Sequence, residues 1–359
     1  MNSEIAQRRS RVAAGLPEHQ LDALLVSSPA NVRYVTGFTG SSGVALVLGD
    51  HAILFTDPRY TIQAAQEVSC RVAICKGPIL PTVAAEVARL GIRRLGFERA
   101  SISYDGYLTL REKLPGRTAL EPVARWLEEQ RMVKSPAEIE LIRRSVATNS
   151  RAFEQAARHA RAGMRERDLA AEIDHQMRRM GAEQPSFETI VAAGERSALP
   201  HAHPTGAVFR PREVVLVDMG TFQDGYASDM TRMLFLGTPD ARLKRMYRAV
   251  LEAQLAAIDA VRPGVTTAHV DRRARMVLKG YGLDRAFVHS TGHGLGLEIH
   301  ELPRIGKKDK TRLAAGMTIT IEPGVYLEGT GGIRIEDTVA VTDRGCEVLT
   351  PTSKELRTV

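Results

Sequence analysis

Short apolar runs alternate with amphipathic segments in the first part of the chain. The apolar runs predict strands, and the segments with apolar residues three or four positions apart predict helices. We expect strands at 21–27, 44–48, 53–56 and 94–97, and helices at 61–68 and 82–90. This alternation is typical of an α/β domain with a mixed sheet. The pattern therefore predicts a smaller N-terminal α/β domain over residues 1–125.

The pattern changes in the stretch 121–136, where prolines and a charged run interrupt the apolar periodicity. Ser135, Pro136 and Glu138 have the spacing of a capping box that opens a helix. We therefore place a second domain at residues 126–359.

The second domain contains an internal repeat. Residues 161–164 (RAGM) are echoed by 262–265 (RPGV), and in each copy another glycine follows the first by 18 residues. Each copy predicts a pair of helices and then a strand, at 186–192 and at 286–290. A chance likeness of two helical hairpins is the alternative. A true duplication predicts a pseudo-symmetric α+β domain with a site where its halves meet.

A predicted hairpin carries two aspartates on one face. Its strands are expected at 213–220 and 227–237. Asp224-Gly225 is a strong signal for the turn between them, and in that register Asp218 faces Thr231 while Asp229 is its diagonal neighbour. One such aspartate would most simply be a solvent-facing acid. Two carboxylates this close repel each other unless a cation lies between them, so the pair predicts a divalent metal site.

Histidines and glycines are concentrated in residues 289–301 (HSTGHGLGLEIHE), which hold three of the ten histidines. A neutral imidazole can bind a divalent metal or transfer protons near neutral pH. The segment is not an HExxH motif, and its glycines lack the βαβ context of a dinucleotide fingerprint. His201 and His203 follow the first repeat and could reach the same cleft.

Two late segments, 317–326 and 332–342, predict strands that carry Glu322 and Glu336. A structural ion pair between Glu336 and Arg334 is the alternative to a functional role. Four carboxylates and one imidazole suit two bridged ions of Mn²⁺, Fe²⁺, Co²⁺ or Zn²⁺, which can hold a bridging hydroxide. This candidate ligand set is Asp218, Asp229, His293, Glu322 and Glu336.

Composition and charge narrow the function classes. Apolar residues make up 43% and charged residues 25%, which is typical of a globular protein, and no apolar stretch is long enough to span a membrane. The net charge of +7 comes from interleaved basic and acidic residues, so we expect no nucleic-acid partner. The first residues lack the apolar core of a secretory signal, and three cysteines form no pairing framework. We expect a cytoplasmic protein.

Several segments resemble the pita-bread metallopeptidases, and within them the Xaa-Pro peptidases, aminopeptidase P and prolidase. The segments are VDMG (217–220), SDMTR (228–232), HSTGHGLGLEIHE (289–301), TIEPG (320–324) and GIRIED (332–337). NVRYVTGFTGSSG (31–43) and FTDPRY (55–60) are similar to the N-terminal domain of this branch. Pro58 and Met233 depart from the usual motifs at positions away from the chemistry.

The resemblance implies a role for each candidate residue. The five metal ligands would be Asp218, Asp229, His293, Glu322 and Glu336. Glu322 would also be the general base, and His201 and His300 would be catalytic histidines that bind the substrate and the developing oxyanion. His289 would line the proline pocket, and Arg334, which matches the arginine of the GIRIED motif, would also bind the substrate. Arg304 matches an arginine that binds the free carboxylate of the substrate in some prolidases. The residue by itself does not decide between a prolidase and an aminopeptidase P, and a surface arginine on a loop is the alternative.

The resemblance also implies the activity. We expect a dinuclear-metal Xaa-Pro aminopeptidase that hydrolyses the N-terminal Xaa-Pro bond of a proline-containing peptide by means of a metal-bridging hydroxide. Mn²⁺ is the expected metal, with Co²⁺, Zn²⁺ or Fe²⁺ as alternatives, and a homodimer is the expected assembly. The main alternative is an Xaa-Pro dipeptidase, or prolidase. A metal-free creatinase-like C–N hydrolase and a non-catalytic binding module are more remote, because every ligand position is retained.

Overall fold

The computed structural model describes residues 2–49 and 51–359. The chain divides into two compact units, the first ending at Gln130 and the second beginning at Arg131. This division lies slightly later than the boundary after residue 125 that the sequence suggests, which stays a prediction. No helix in the described residues is long and apolar enough to cross a lipid bilayer.

The first unit is built on a six-stranded mixed sheet. Its strands are β1 (Ala23–Val26), β2 (Gly43–Val47), β3 (Ala52–Thr56), β4 (Arg71–Ile74), β5 (Arg94–Glu98) and β6 (Ala119–Val123), in the order β4-β3-β2-β1-β5-β6. Its helices are α1 (Asn2–Gly15), α2 (Pro29–Thr36), α3 (Thr61–Glu67), α4 (Ile79–Arg89) and α5 (Tyr104–Lys113), and α6 (Trp126–Arg131) follows β6. Pairs β1–β2 and β2–β3 are antiparallel and the others parallel, which confirms the α/β prediction.

The second unit combines four helices with several small sheets. The helices are α7 (Pro136–Ala157), α8 (Glu166–Arg179), α9 (Ala241–Asp259) and α10 (Thr267–Gly280). The strands are β7 (Gln184–Pro185), β8 (Ile190–Ala193), β9 (Val214–Met219), β10 (Thr221–Gln223), β11 (Tyr226–Ala227), β12 (Met230–Phe235), β13 (Gly292–Gly294), β14 (Glu301–Ile305), β15 (Thr318–Ile321), β16 (Gly324–Leu327), β17 (Gly331–Arg334), β18 (Asp337–Val341), β19 (Cys346–Val348) and β20 (Arg357–Thr358). The two main sheets have the orders β20-β12-β9-β8 and β14-β13-β15-β18-β19. Ser135 and Glu138 form the predicted capping box of α7.

The internal repeat is visible in the backbone. Gly163 and Gly264 have φ values of 88° and 82°, and the later glycines Gly181 and Gly282 have φ values of 103° and 72°. These left-handed conformations are easily adopted only by glycine, which explains the repeated spacing. The pairs α7–α8 and α9–α10 are the repeated helices, so the duplicated α+β architecture is confirmed.

Some predicted strands are wrong in their extent. Residues 286–290 are not a strand, because a 3-10 turn over Asp284–Ala286 precedes them and the next strand begins at Gly292. The predicted strand 186–192 is replaced by the two short strands β7 and β8. Segments 317–326 and 332–342 are each broken into two strands, at Glu322-Pro323 and at Ile335-Glu336. Pro323 has no N–H for a sheet ladder, which accounts for the first break.

The central strands β9 and β12 are fully buried and pack on both faces. Val215 and Val217 point towards α7 and α8. Val214 and Leu216 point towards α9, α10 and the sheet of the second repeat. Because side chains alternate along a strand, Asp218 shares the face of Leu216. The fold therefore directs Asp218 to the junction of the two repeats.

Candidate metal and catalytic centre

The predicted hairpin has the predicted register. Gln223 pairs with Tyr226 and Asp218 pairs with Thr231. Asp224 and Gly225 both have positive φ, as a two-residue hairpin turn of the primed type requires. The hairpin thus carries its two aspartates, Asp218 on β9 and Asp229 just before β12, to one end of the sheet.

Three residues from distant parts of the chain form a possible metal-binding cluster. Ligand atoms of Asp229, His293 and Glu336 all lie within 4.8 Å of one another. His293 Nε2 is 3.5 Å from Asp229 Oδ2 and 3.4 Å from Glu322 Oε1. Asp229 precedes β12, His293 is in the middle of β13, and Glu322 and Glu336 occupy the breaks in the late strands. Those breaks free both glutamates from regular pairing, so that their side chains can meet the aspartates.

The His293 ring is oriented by its own backbone. Nδ1 lies 2.9 Å from the carbonyl of Gly294, and since a carbonyl only accepts, Nδ1 carries a proton there. In the neutral ring, Nε2 then presents a lone pair towards two carboxylates. A lone pair aimed at negative charge is unfavourable unless a cation lies between them, and this is how a metal-binding imidazole is commonly prepared.

The carboxyl groups are crowded and hidden from water. Burial raises the pKa of Asp218, although the Arg334 guanidinium opposes this shift. Burial, followed by the charges of Asp218 and Glu322, raises the pKa of Asp229 well above its usual value. Burial, followed by Asp229 and Glu322, raises the pKa of Glu336 in the same way. Such a set gains from a compensating cation.

The donor set fits divalent metal ions. Asp218 Oδ1 and Glu336 Oε1 are buried and accept no hydrogen bond from any described residue. Buried carboxylate oxygens without donors are rare in native proteins, and here they face the same cluster as the His293 lone pair. Oxygen ligands with one imidazole suit Mn²⁺ and related ions better than a thiolate-type structural zinc site.

Arg334 pairs with Asp218 rather than with Glu336, so the alternative ion pair considered from the sequence is wrong. Arg334 Nη2 donates to Asp218 Oδ2 at 2.5 Å, and its Nε donates to Thr231 Oγ1 at 3.0 Å. Thr231 Oγ1 in turn donates to Glu336 Oε2 at 2.7 Å. Arg334 therefore orients two carboxylates, one directly and one through a threonine hydroxyl.

Tyr326 is a functional candidate that sequence reasoning missed. Its hydroxyl lies 2.7 Å from Arg334 Nη1 and 2.9 Å from His289 Nε2. Burial raises the pKa of Tyr326 to about 12. Burial also lowers the pKa of His289, whose Nδ1 lies 2.8 Å from the Ser290 carbonyl. A neutral His289 therefore holds its proton on Nδ1 and accepts from Tyr326. The position of Tyr326 in the alternating segment that carries Glu322 was the only hint of a role in the sequence. A tyrosine at such a position is equally consistent with core packing.

The remaining predicted residues surround this cluster. The His300 ring packs edge-on against His293 with centroids 4.5 Å apart, and burial, followed by the neighbouring His293, lowers the pKa of His300. Exposed His201 directly follows Pro200, whose carbonyl accepts from Arg334 Nη1 at 3.1 Å. His203 instead pairs with exposed Glu188.

Arg304 lies on β14 directly opposite His293. Opposite residues of an antiparallel pair project to the same face of the sheet, so Arg304 shares the face of the metal cluster. Its side chain is exposed, and in the described part of the chain no carboxylate pairs with it. The sheet thus presents an exposed guanidinium on the face that carries His293.

Comparisons with known proteins agree with this geometry. Residues 140–343 match the family described as metallopeptidase family M24, and residues 8–133 match the creatinase/prolidase N-terminal domain. An Xaa-Pro dipeptidase from Pyrococcus furiosus is 36% identical over 98% of this chain and 99% of that protein.

Solved structures are similar along nearly the whole chain. An Xaa-Pro dipeptidase from Bacillus anthracis has a TM-score of 0.96 and 36% identity, covering 99% of this chain and 100% of that one. An X-Pro aminopeptidase from Thermotoga maritima has a TM-score of 0.89 and 36% identity, covering 95% of this chain and 98% of that one.

Proposed function

Because this chain belongs to metallopeptidase family M24, and is therefore a metallo-exopeptidase with the pita-bread fold, we propose that it is an Xaa-Pro dipeptidase. The sequence by itself ranks Xaa-Pro aminopeptidase first. The relatives named as Xaa-Pro dipeptidases favour the dipeptidase activity instead. The observation that carries the proposal is Arg304, an exposed cation on the same face as His293. A dipeptide ends in a free carboxylate close to its scissile bond, and a guanidinium there would bind it.

We propose that five side chains hold two divalent metal ions, with Mn²⁺ the expected metal. These side chains are Asp218, Asp229, His293, Glu322 and Glu336. Bound ions would polarise the scissile carbonyl and neutralise the crowded carboxylates. Arg334 and Thr231 keep two of the carboxylates oriented for this task.

The chain's own residues supply the proton transfer and the binding contacts. Glu322 Oε1 accepts from Thr320 Oγ1 at 3.2 Å, which leaves its other oxygen free to take a proton from the attacking water. The proline nitrogen has no hydrogen, so it needs that proton in order to leave. We propose that His300 and His201 donate hydrogen bonds to the developing oxyanion and that His289 and Tyr326 face the proline ring, which the position of His300 beside His293 and the contact of Tyr326 with His289 support.

The test compares Ala-Pro with Ala-Pro-Ala. Metal-stripped protein should cleave neither peptide, and Mn²⁺ should restore cleavage of Ala-Pro at a rate at least about 10-fold above that for Ala-Pro-Ala, a difference of about 1.4 kcal/mol. The Glu322→Gln variant, purified in the same way, controls for a contaminating host peptidase. Co²⁺ and Zn²⁺ added singly would identify the best metal.

An X-Pro aminopeptidase is the second candidate, supported by the likeness to the Thermotoga maritima structure. Equal cleavage of both peptides would favour it. Full activity after chelation would favour a metal-free creatinase-like hydrolase, and no metal-dependent cleavage of either peptide would overturn the proposed function.

A further inference from the structure

Behind the metal cluster lies a buried network of charges that the proposed chemistry does not use. Its centre is Arg232, which is 3% exposed and follows Thr231 on β12. Asp337, the next residue after Glu336, is completely buried. Arg232 Nη2 donates to Asp337 Oδ1 at 2.7 Å. The two members of this ion pair are thus the immediate sequence neighbours of two residues at the metal cluster.

The guanidinium of Arg232 also joins three backbone segments. Its Nη1 donates to the carbonyls of Thr231 at 3.0 Å and Glu336 at 2.5 Å. Its Nη2 and Nε donate to the carbonyls of Thr352 at 2.7 Å and Ser353 at 3.1 Å. One planar group thereby ties β12, the turn that carries Glu336, and the segment 349–354, which we call the C-terminal clasp.

The C-terminal clasp closes the network from the other side. Lys354 Nζ donates to Asp337 Oδ2 at 2.6 Å, and buried Gln254 Nε2 donates to the same oxygen at 2.9 Å. Asp337 is therefore held by two cations and an amide. The arrangement has a net positive charge, and Asp337 is the direct sequence neighbour of Glu336.

A second series of hydrogen bonds leads from the C-terminal clasp to Asp229. Leu349 N donates to the carbonyl of Thr338 at 2.9 Å, and Thr350 Oγ1 accepts from Thr338 N at 3.0 Å. Thr338 Oγ1 donates to the carbonyl of Asp229 at 3.0 Å. The clasp thus reaches the backbone of Asp229 through Thr338 and the backbone of Glu336 through Arg232.

We propose that the C-terminal clasp, acting through Arg232, Asp337 and Thr338, fixes the backbones of Asp229 and Glu336 and thereby sets the affinity of the site for divalent metal. Lys354, Arg232 and Asp337 are positioning residues in this account, since they bind neither metal nor substrate. The inference rests on the proposed metal-binding role of Asp229 and Glu336.

The structure also supplies a matched control within the same stretch of chain. Arg357 Nη1 pairs with Glu154 of α7 at 2.6 Å, and Glu154 does not belong to the network. A cavity of about 260 Å³ is lined by Glu154, Arg232 and Arg357. The ion pair between Arg357 and Glu154 therefore connects β20 to α7 beside this cavity. Removing the Arg357 charge breaks the ion pair between β20 and Glu154 and removes none of the contacts that join Arg232, Lys354 and Asp337.

The experiment is a Mn²⁺ titration of metal-stripped protein, followed by calorimetry and by the electron paramagnetic resonance signal of free Mn²⁺. We expect Lys354→Met to raise the Kd of the tighter site by about 10-fold or more, as is typical when groups that orient metal ligands are removed. Lys354→Arg should restore most of the affinity. Arg357→Met should leave the Kd within about 2-fold of the unaltered protein, whatever its effect on stability.

A urea unfolding curve of each metal-free variant separates positioning from general weakening. Equal Kd values for Lys354→Met and the unaltered protein, or equal losses in Lys354→Met and Arg357→Met, would overturn the inference. If Lys354→Met does not fold, Thr338→Val removes only the hydroxyl that reaches Asp229, and it should still raise the Kd. Metal binding is read without substrate, so an unaltered protein that binds Mn²⁺ but leaves Ala-Pro intact overturns the proposed function and not this inference.

Discussion

The rings of His289 and His293 are oriented by the same kind of backbone contact. In each ring, Nδ1 faces the carbonyl of the following residue, at 2.8 Å for His289 and 2.9 Å for His293. This contact fixes the proton on Nδ1 and leaves Nε2 as the acceptor in the neutral ring. For His293 the lone pair faces the carboxylates of Asp229 and Glu322. For His289 it accepts a hydrogen bond from the Tyr326 hydroxyl, so the same tautomer would serve metal binding at His293 and substrate binding at His289 in the proposed site.

The Tyr326 hydroxyl connects His289 to Arg334, so its removal should disturb both. We expect Tyr326→Phe to lower kcat on Ala-Pro about 10-fold and to lower the free energy of unfolding of the metal-free protein by about 1 kcal/mol, the usual net value of a hydrogen bond. Steady-state kinetics and urea unfolding measure these effects. Tyr281→Phe is the matched control, because the Tyr281 hydroxyl donates to Glu252 in an exposed contact away from the candidate site. An equal effect of both changes would contradict the role given to Tyr326.

Arg304 should determine the affinity for a dipeptide. A hydrogen bond to a charged group contributes about 1.5–3 kcal/mol, so Arg304→Met should raise KM for Ala-Pro by about 10- to 100-fold with little change in kcat. Lys308 is exposed and lies three residues after the end of β14. Lys308→Met therefore controls for the loss of one positive charge. Blocking the substrate as Ala-Pro-amide should abolish the difference between native protein and Arg304→Met. An unchanged KM would remove the main support for a dipeptidase.

At the scale of single elements, the hairpin of β9 and β12 was predictable because its information is local. The Asp224-Gly225 turn sets the register, and the register sets which side chains share a face. The breaks at Glu322-Pro323 and Ile335-Glu336 were not predictable from alternation, which continues through both. Glu336 N donates instead to Thr231 O of β12, a contact between residues far apart in sequence.

The same limit applies to the partners of the site residues. The set of candidate ligands follows from residue type and resemblance, and the structure brings Asp229, His293 and Glu336 together, with Glu322 beside His293. The pairing of Arg334 with Asp218 rather than Glu336 depends on how β17 lies across β9, and the sequence contains no local signal for it. Arg232, Asp337 and Lys354 are ordinary charged residues in sequence, and only the ion pairs that Asp337 makes with the other two in the fold show their connection.

Strand β13 requires its glycines because it passes close to its neighbours. A Cβ on Gly292 would collide with the backbone carbonyl of Thr320, and one on Gly294 with the carbonyl of Leu302. We expect Gly292→Ala to displace His293, to lower the free energy of unfolding by about 1–3 kcal/mol, and to weaken Mn²⁺ binding about 10-fold or more. Urea unfolding measures the loss of stability, and Mn²⁺ titration measures the loss of affinity.

The control for that change is Gly280→Ala at the end of α10. A Cβ there meets no atom within 4 Å and the backbone φ is not positive, so the substitution should be neutral or slightly stabilising. Native-like Mn²⁺ affinity in Gly292→Ala would show that β13 can shift without moving the imidazole, contrary to the argument.

At the scale of the whole molecule, the duplication explains where the site lies. Each repeat supplies a helix pair and a central sheet, and the apolar face of β9 and β12 packs against the sheet of the second repeat. Polar residues at the ends of these strands therefore meet at the junction without disturbing the core. The first unit has its own core and matches a separate domain type, while homodimer formation and a cytoplasmic location stay predictions.

The crowding of carboxyl groups at this junction makes the stability of the metal-free protein depend on pH. Burial raises the pKa of Asp229 and Glu336 in the folded state, so the folded protein binds more protons than the unfolded chain above the ordinary carboxyl range of about pH 4. Stability falls with rising pH wherever the folded state binds more protons. These groups should therefore stabilise the metal-free fold in acid and lose that contribution as the pH rises through their folded-state pKa values.

Asp229→Asn isolates this effect, because asparagine has nearly the same shape and does not titrate. We expect the metal-free variant to gain stability relative to the metal-free native protein as the pH rises above the ordinary carboxyl range, since burial favours a proton on the folded native carboxyl that the unfolded chain has lost. Saturating Mn²⁺ should make the native protein more stable than the Asp229→Asn variant. It binds the native site and adds about 2.7 kcal/mol at 100 times its Kd, whereas the variant gains little. Urea unfolding at several pH values, with and without Mn²⁺, measures both differences. A constant gap across pH would mean that Asp229 is already ionised without metal, and that the cluster tolerates its charge by some other means.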